Sequence, residues 1–163
     1  MTPEEMGKLA VKLFDNGYHC SQAIFSAAMR KLDRQEVDAV IRCLSPFGGG
    51  IASTGNTCGT ILGALAVVGF MEGKSAPEGR DGKAMWKISY NLFKSFEELT
   101  RPYGGPNCSN IARVNWKDMN DVRSFRKDPS SRRKECLHII EQTAIILAKI
   151  LEDIERKKEE DKR

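Results

Sequence analysis

The chain has 163 residues, 40% of them hydrophobic and 29% charged, which is the balance of a folded globular protein and excludes a disordered one. That length suits one domain with a real core and falls short of two. The net charge of +4 is dispersed: Arg123, Arg126 and Lys127 stand near Arg132, Arg133 and Lys134, but Asp128 and Glu135 interrupt them, which argues for a solvated face and against a nucleic-acid binder.

The longest apolar run, Ile61 to Met71, is far short of the roughly 20 residues that span a bilayer. The opening Met-Thr-Pro-Glu-Glu has neither a basic n-region nor an apolar h-region. A cytoplasmic protein with no membrane insertion is expected.

In chain order, Thr2-Pro3-Glu4-Glu5 combines a capping box with proline at the first helical position. The helix it opens carries Met6, Leu9, Ala10, Leu13 and Phe14 at helical spacing and stops near Asn16-Gly17. A second helix starts at about Cys20, with Ala23, Ile24, Ala27 and Ala28 inward. Asp33 and Glu36 repeat the capping-box spacing and predict a third helix, with Val37, Val40 and Ile41 inward, ended by Pro46. A glycine-rich loop follows from Phe47 to Thr57.

Cys58 to Glu72 reads as a buried helix, apolar almost all round and closed by Gly73. Within it Gly59, Gly63 and Gly69 each cost about 1 kcal/mol relative to alanine, so something is expected to pack very close to its backbone. A polar loop leads to a helix from about Asp81 to Leu99, with Met85, Ile88, Leu92, Phe93 and Phe96 inward. After the break at Pro102–Pro106, Cys108 heads a short helical piece, Ser109 to Val114. Asp128–Ser131 is a turn. The last helix, from about Arg132 to Glu159, buries Leu137, Ile140, Ala144, Leu147 and Leu151, and a polar tail occupies about residues 156–163. No stretch alternates as a strand would. The expected fold is all-α, a single-domain bundle of about six helices.

Function has to be sought in the cysteines. A chain read as having no secretory signal is expected in a reducing compartment, where cysteines that matter are more often metal ligands or redox thiols than staples. The five are Cys20, Cys43, Cys58, Cys108 and Cys136, and none belongs to a Cys-x-x-Cys pair, which removes zinc-finger, rubredoxin-like, bacterial-ferredoxin and thioredoxin patterns together. Cys20, Cys58, Cys108 and Cys136 all fall at or near predicted helix starts. There the partial positive charge and free N–H groups favour a thiolate. Cys43 falls near a helix end, where the field is reversed, and is left outside the site. A buried cysteine acting only as a small hydrophobe is the ordinary alternative for each.

The segments His19-Cys20-Ser21-Gln22-Ala23, Phe47-Gly48-Gly49-Gly50 and Cys58-Gly59-Thr60-Ile61-Leu62-Gly63-Ala64-Leu65, followed by Cys108 and Cys136, resemble a family of redox-active proteins named for a Cys…Cys-Gly-Ala-x-x-Gly…Cys…Cys pattern. The resemblance runs from about Phe14 to Leu151. It implies four functional cysteines, Cys20, Cys58, Cys108 and Cys136. Thr60 stands where the family pattern has alanine, which would loosen the close helix approach, and Cys43 lies outside the pattern.

Other chemistries find less support. Gly48-Gly49-Gly50 has no Walker lysine after it and no strand before it, so its expected role is to let the backbone pass close to the Cys58 site. His19 and His138 neighbour presumed site cysteines as candidate ligands or proton donors, although ordinary hydrogen-bonded histidines are the simpler expectation. Trp86 and Trp116 read as core and surface anchors. Ser-His-Asp, paired-carboxylate and His-Glu-x-x-His patterns are missing.

Three functions follow from this reading, in order. In the first, the four cysteines bind an iron–sulfur cluster of the [2Fe–2S] type, or else zinc, and exchange electrons with a redox partner protein. In the second, two of the four cycle between thiols and a disulfide without metal. In the third, a non-redox helical protein binds a partner or forms a homodimer through its glycine-bearing helix and long final helix.

Overall fold

A computed structural model of the protein describes residues 1–160, and they are helical with connecting loops. Eight α-helices are present among the described residues: α1 (Pro3–Asp15), α2 (Cys20–Lys31), α3 (Asp38–Cys43), α4 (Gly59–Glu72), α5 (Met85–Thr100), α6 (Cys108–Ile111), α7 (Met119–Lys127) and α8 (Arg133–Glu160). The all-α expectation holds; eight helices stand where about six were expected, α6 falling on the short helical piece placed after Cys108 and α7 being the addition. Residues 161–163 of the expected polar tail lie outside the described residues; up to Glu160 that tail continues α8.

Local chemistry accounts for most of the boundaries. Thr2 caps α1 as expected: its hydroxyl accepts from the Glu5 N–H at 3.1 Å, and the Glu5 carboxylate accepts from the Thr2 N–H at 2.7 Å. At the other end of α1, Gly17 adopts φ +110°, and the bonds Tyr18 N–H to Leu13 O and Gly17 N–H to Phe14 O close a Schellman motif.

The same motif corrects the reading of Asp33 and Glu36. Asp33 is left-handed at φ +51° and ends α2, with Arg34 N–H donating to Met29 O and Asp33 N–H to Arg30 O. Glu36 is also left-handed, at φ +61°. A capping box needs helical geometry at its third helical position, so α3 cannot start there and begins at Asp38. The helix that was not expected, α7, is capped by Asp118, whose carboxylate accepts from the Asn120 N–H at 2.8 Å. Its buried Val122 and Phe125 are spaced by a single turn.

One continuous core joins α1, α2, α4, α5 and α8 through buried side chains including Met6, Ile24, Phe25, Ile61, Phe96 and Leu147. Leu137, expected inside, is half-buried. A smaller apolar cluster of Cys108, Ala112 and Phe125, with Trp116 and Cys136 against it, sits beside the main core. No helix among the described residues is long and apolar enough to cross a membrane.

The close approach expected for the glycine-bearing helix is made by α2. A Cβ built on Gly63 would overlap the Ser21 carbonyl oxygen and lie 2.8 Å from Ser21 Cα, and one on Gly59 would lie 2.7 Å from Cys20 Sγ. Gly69 departs from the expectation: it is exposed, and an added Cβ there would meet nothing within 4 Å.

Candidate functional site: four cysteines on one cavity

Helix starts are where the sulfurs come from. Cys20 is the first residue of α2, Cys58 the N-cap of α4, Cys108 the first residue of α6, and Cys136 lies in the first turn of α8. All four line a single cavity of about 760 Å³, and all are free thiols. Cys58 and Cys108 are each 7% exposed, whereas Cys20 and Cys136 are half-buried. Cys43, at the C-terminal end of α3, is exposed and does not line the cavity.

Two loops bind the cysteine-bearing helix starts to one another. Thr57 and Asn107 form an isolated antiparallel bridge. Around it Cys58 N–H donates to Pro106 O at 3.0 Å, and Cys108 N–H donates to Asn56 O at 2.7 Å. The backbone bonds that would otherwise be orphaned at these helix starts therefore tie the two cysteines together.

The glycine loop has a further peculiarity. Gly49, Gly50, Ile51, Ala52 and Ser53 are all left-handed, with φ between +52° and +72°. For the three non-glycine residues this costs roughly 1–2 kcal/mol each. Bonds from Ala52 N–H to Pro46 O (2.7 Å) and from Asn56 N–H to Gly50 O (3.0 Å) hold the turn. Its glycines do permit close approach, but chiefly to other partners than Cys58: a Cβ on Gly50 would lie 2.6 Å from Cys108 Cβ, and one on Gly48 2.8 Å from His19 Nδ1.

The four thiols are electrostatically unequal. A hydrogen bond from the Cys20 thiol, opposed by burial and assisted by the Thr60 hydroxyl and the Thr60 and Ile61 N–H groups, brings Cys58 down from 9.0 to about 7. Cys20, as the donor of that bond and buried besides, is held well above the usual thiol range. Burial and the neighbouring Cys58 push Cys108 up to about 11, offset in part by a bond from Trp116. Burial likewise drives Cys136 far up, against the opposing charges of Arg133 and Arg132. Among the four, Cys58 is the one that ionises near neutral pH.

The two histidines separate. His19, the N-cap residue of α2, lines the cavity. His138 is exposed on α8 and belongs to a groove against α1 instead. Among the described residues, no three His, Cys, Asp or Glu side chains are gathered closely enough to hold a metal ion.

Four contributors were not expected from the sequence. Trp116, half-buried, donates its indole N–H to Cys108 Sγ at 3.2 Å and packs edge-on against Phe125 with ring centroids 5.2 Å apart. Nothing in the local pattern signals an indole folded back onto a cysteine eight residues earlier. Thr60, noted only as a departure from the family pattern, adds a hydroxyl donor to Cys58. Arg126 and Arg133 bring positive charge to the cavity, although the sequence presents them as ordinary surface charges.

Compared with known protein families, residues 18–150 match the family model described as "Putative redox-active protein (C_GCAxxG_C_C)". The chain belongs to this family. The matched span contains all four cavity cysteines and the glycine loop. Neither a curated protein nor a solved structure matches the chain.

Proposed function

We propose that this member of the redox-active family is a thiol–disulfide exchange protein, with Cys58 as the attacking thiolate and Cys20 as its resolving partner. One observation carries the reading: four free thiols line a common cavity, and Cys20 Sγ lies only 2.7 Å from where a Cβ on Gly59, the residue after Cys58, would stand, which makes Cys20 and Cys58 neighbours. That proximity lowers the Cys58 pKa to about 7. The thiolate is the nucleophile, and an attacking thiol works best with a pKa near ambient pH.

The electrons and protons balance against a disulfide R–S–S–R. Cys58 thiolate attacks one sulfur, forming Cys58–S–S–R and releasing RS⁻. Cys20 loses its proton and attacks the Cys58 sulfur, forming the Cys20–Cys58 disulfide and releasing the second RS⁻. The protein dithiol is oxidised by two electrons and the substrate disulfide is reduced to two thiols.

Metal-free protein treated with a small disulfide should lose two thiols, recover them with dithiothreitol, and yield a Cys20–Cys58 linked peptide on digestion. Cys58→Ser should abolish that peptide. Unchanged thiol counts in the parent protein, or linkage confined to other cysteines, would overturn the reading.

A second reading, electron transfer by a [2Fe–2S] cluster or a zinc site, is favoured by the convergence of four cysteines on one cavity. Their soft thiolates are the right donors in kind, and helix-start N–H groups would offset the negative charge. Their present spacing is not that of a metal site, so this reading requires the helix starts to draw together. Iron, sulfide and zinc analysis on protein purified without air tests it. Substoichiometric metal after reconstitution would remove it.

A further inference from the structure

The cavity has a charge character that the exchange chemistry leaves unused. Its ionised or ionisable lining, the cysteines apart, consists of Asp15, Tyr18, His19, Arg126 and Arg133. Asp15 is already engaged by Arg133, at 2.7 Å between Nη2 and Oδ1. Arg126 makes no ion pair among the described residues. Arg132, behind the wall, adds to the positive field at Cys136. The remaining lining is largely apolar, with Phe14, Ile111, Phe125 and Ile140 among it. Its volume of about 760 Å³ lies within the roughly 300–1,000 Å³ of small-molecule sites.

From this arrangement we infer that the cavity selects a low-molecular-mass disulfide bearing carboxylates, with Arg126 receiving a carboxylate while the substrate sulfur reaches Cys58. The inference rests on the exchange reading and adds the substrate class. Guanidinium and carboxylate pair through parallel N–H···O bonds, which orient as well as attract. An unpaired guanidinium beside low-dielectric walls also raises the local concentration of oppositely charged substrate. A cationic disulfide would find no such partner and would be repelled at Arg126.

The test uses the full chain and three disulfides: anionic glutathione disulfide, neutral hydroxyethyl disulfide and cationic cystamine. Each rate of thiol loss is divided by that disulfide's rate with a simple free thiol, which removes intrinsic leaving-group differences. The normalised rate for the anionic reagent should exceed that for the cationic one by about tenfold or more at low salt, and the gap should shrink as salt is added. Arg126→Gln should narrow the ratio and Arg126→Glu invert it, whereas Arg156→Gln, far along α8 and paired with Asp153, should leave it unchanged. Equal normalised rates for all three reagents would overturn the selection while leaving exchange standing. No reaction with any of them would overturn both.

Discussion

Two identical substitutions in one helix should have opposite effects. In α4, Gly63→Ala and Gly69→Ala each gain about 1 kcal/mol of helix propensity, so that gain cancels when the variants are compared with each other. The remaining difference is steric. At Gly63 the new methyl overlaps the Ser21 carbonyl oxygen and stands 2.8 Å from Ser21 Cα, whereas at Gly69 it meets nothing within 4 Å. Both obstacles at Gly63 are backbone atoms of α2, which cannot rotate away as a side chain would. Relief requires the two helices to part, and overpacking of this kind costs about 1–3 kcal/mol, sometimes more. Gly69→Ala should therefore be the more stable variant by about that amount, and more stable than the parent by up to about 1 kcal/mol. Urea unfolding monitored by helicity measures this as a shift in midpoint at constant slope. Ser21 follows Cys20 directly, so Gly63→Ala should also slow formation of the Cys20–Cys58 disulfide, and Gly69→Ala should not. Equal stability of the two variants would refute the close contact between α2 and α4.

Three further outcomes follow from the same geometry. Alkylation of Cys58, resolved by peptide mass spectrometry, should fall by half as pH drops through about 7, because only the thiolate reacts; Thr60→Ala, by removing a donor to that sulfur, should move the midpoint upward. Trp116→Phe takes away the indole N–H bonded to Cys108 and should raise that thiol further above its present value of about 11, seen as slower alkylation of Cys108 at fixed alkaline pH. The raised pKa of Cys108 also predicts alkaline sensitivity of the fold. Its thiol ionises near 9.0 in the unfolded chain and near 11 when folded, so its contribution to stability is complete below about pH 9 and lost as pH rises towards 11. Chemical unfolding across that range should show the fall in the parent protein and less of it in Cys108→Ser.

Much of the helical plan was legible in the sequence because it is written in short-range chemistry. The capping box at Thr2, the turn at Gly17 and the closing Gly73 mark boundaries by the needs of unsatisfied backbone groups, and those needs are local. Where local signals competed, the reading failed. Asp33 and Glu36 have the spacing of a capping box, but the Schellman closure of α2 took Asp33 into the left-handed region. In the segment holding α7, arginines and lysines dominate the pattern, and Val122 and Phe125, one turn apart, are too short an apolar signal to stand out against them. In the same way three glycines in α4 indicated a close neighbour, yet only Gly59 and Gly63 have one, since contact depends on which face meets α2.

The sequence by itself determined that the protein is helical, that Cys20, Cys58, Cys108 and Cys136 stand at helix starts, and that Cys43 does not. Each of these depends on neighbours within a few residues. Only the tertiary structure decided that the four sulfurs share a cavity, that Cys20 lies beside Cys58, that Trp116 caps Cys108, and that His138 faces elsewhere. These relations join residues tens of positions apart, or turn on the direction of one side chain. They are set by how closely glycine lets α2 and α4 approach, and by the bridge between Thr57 and Asn107.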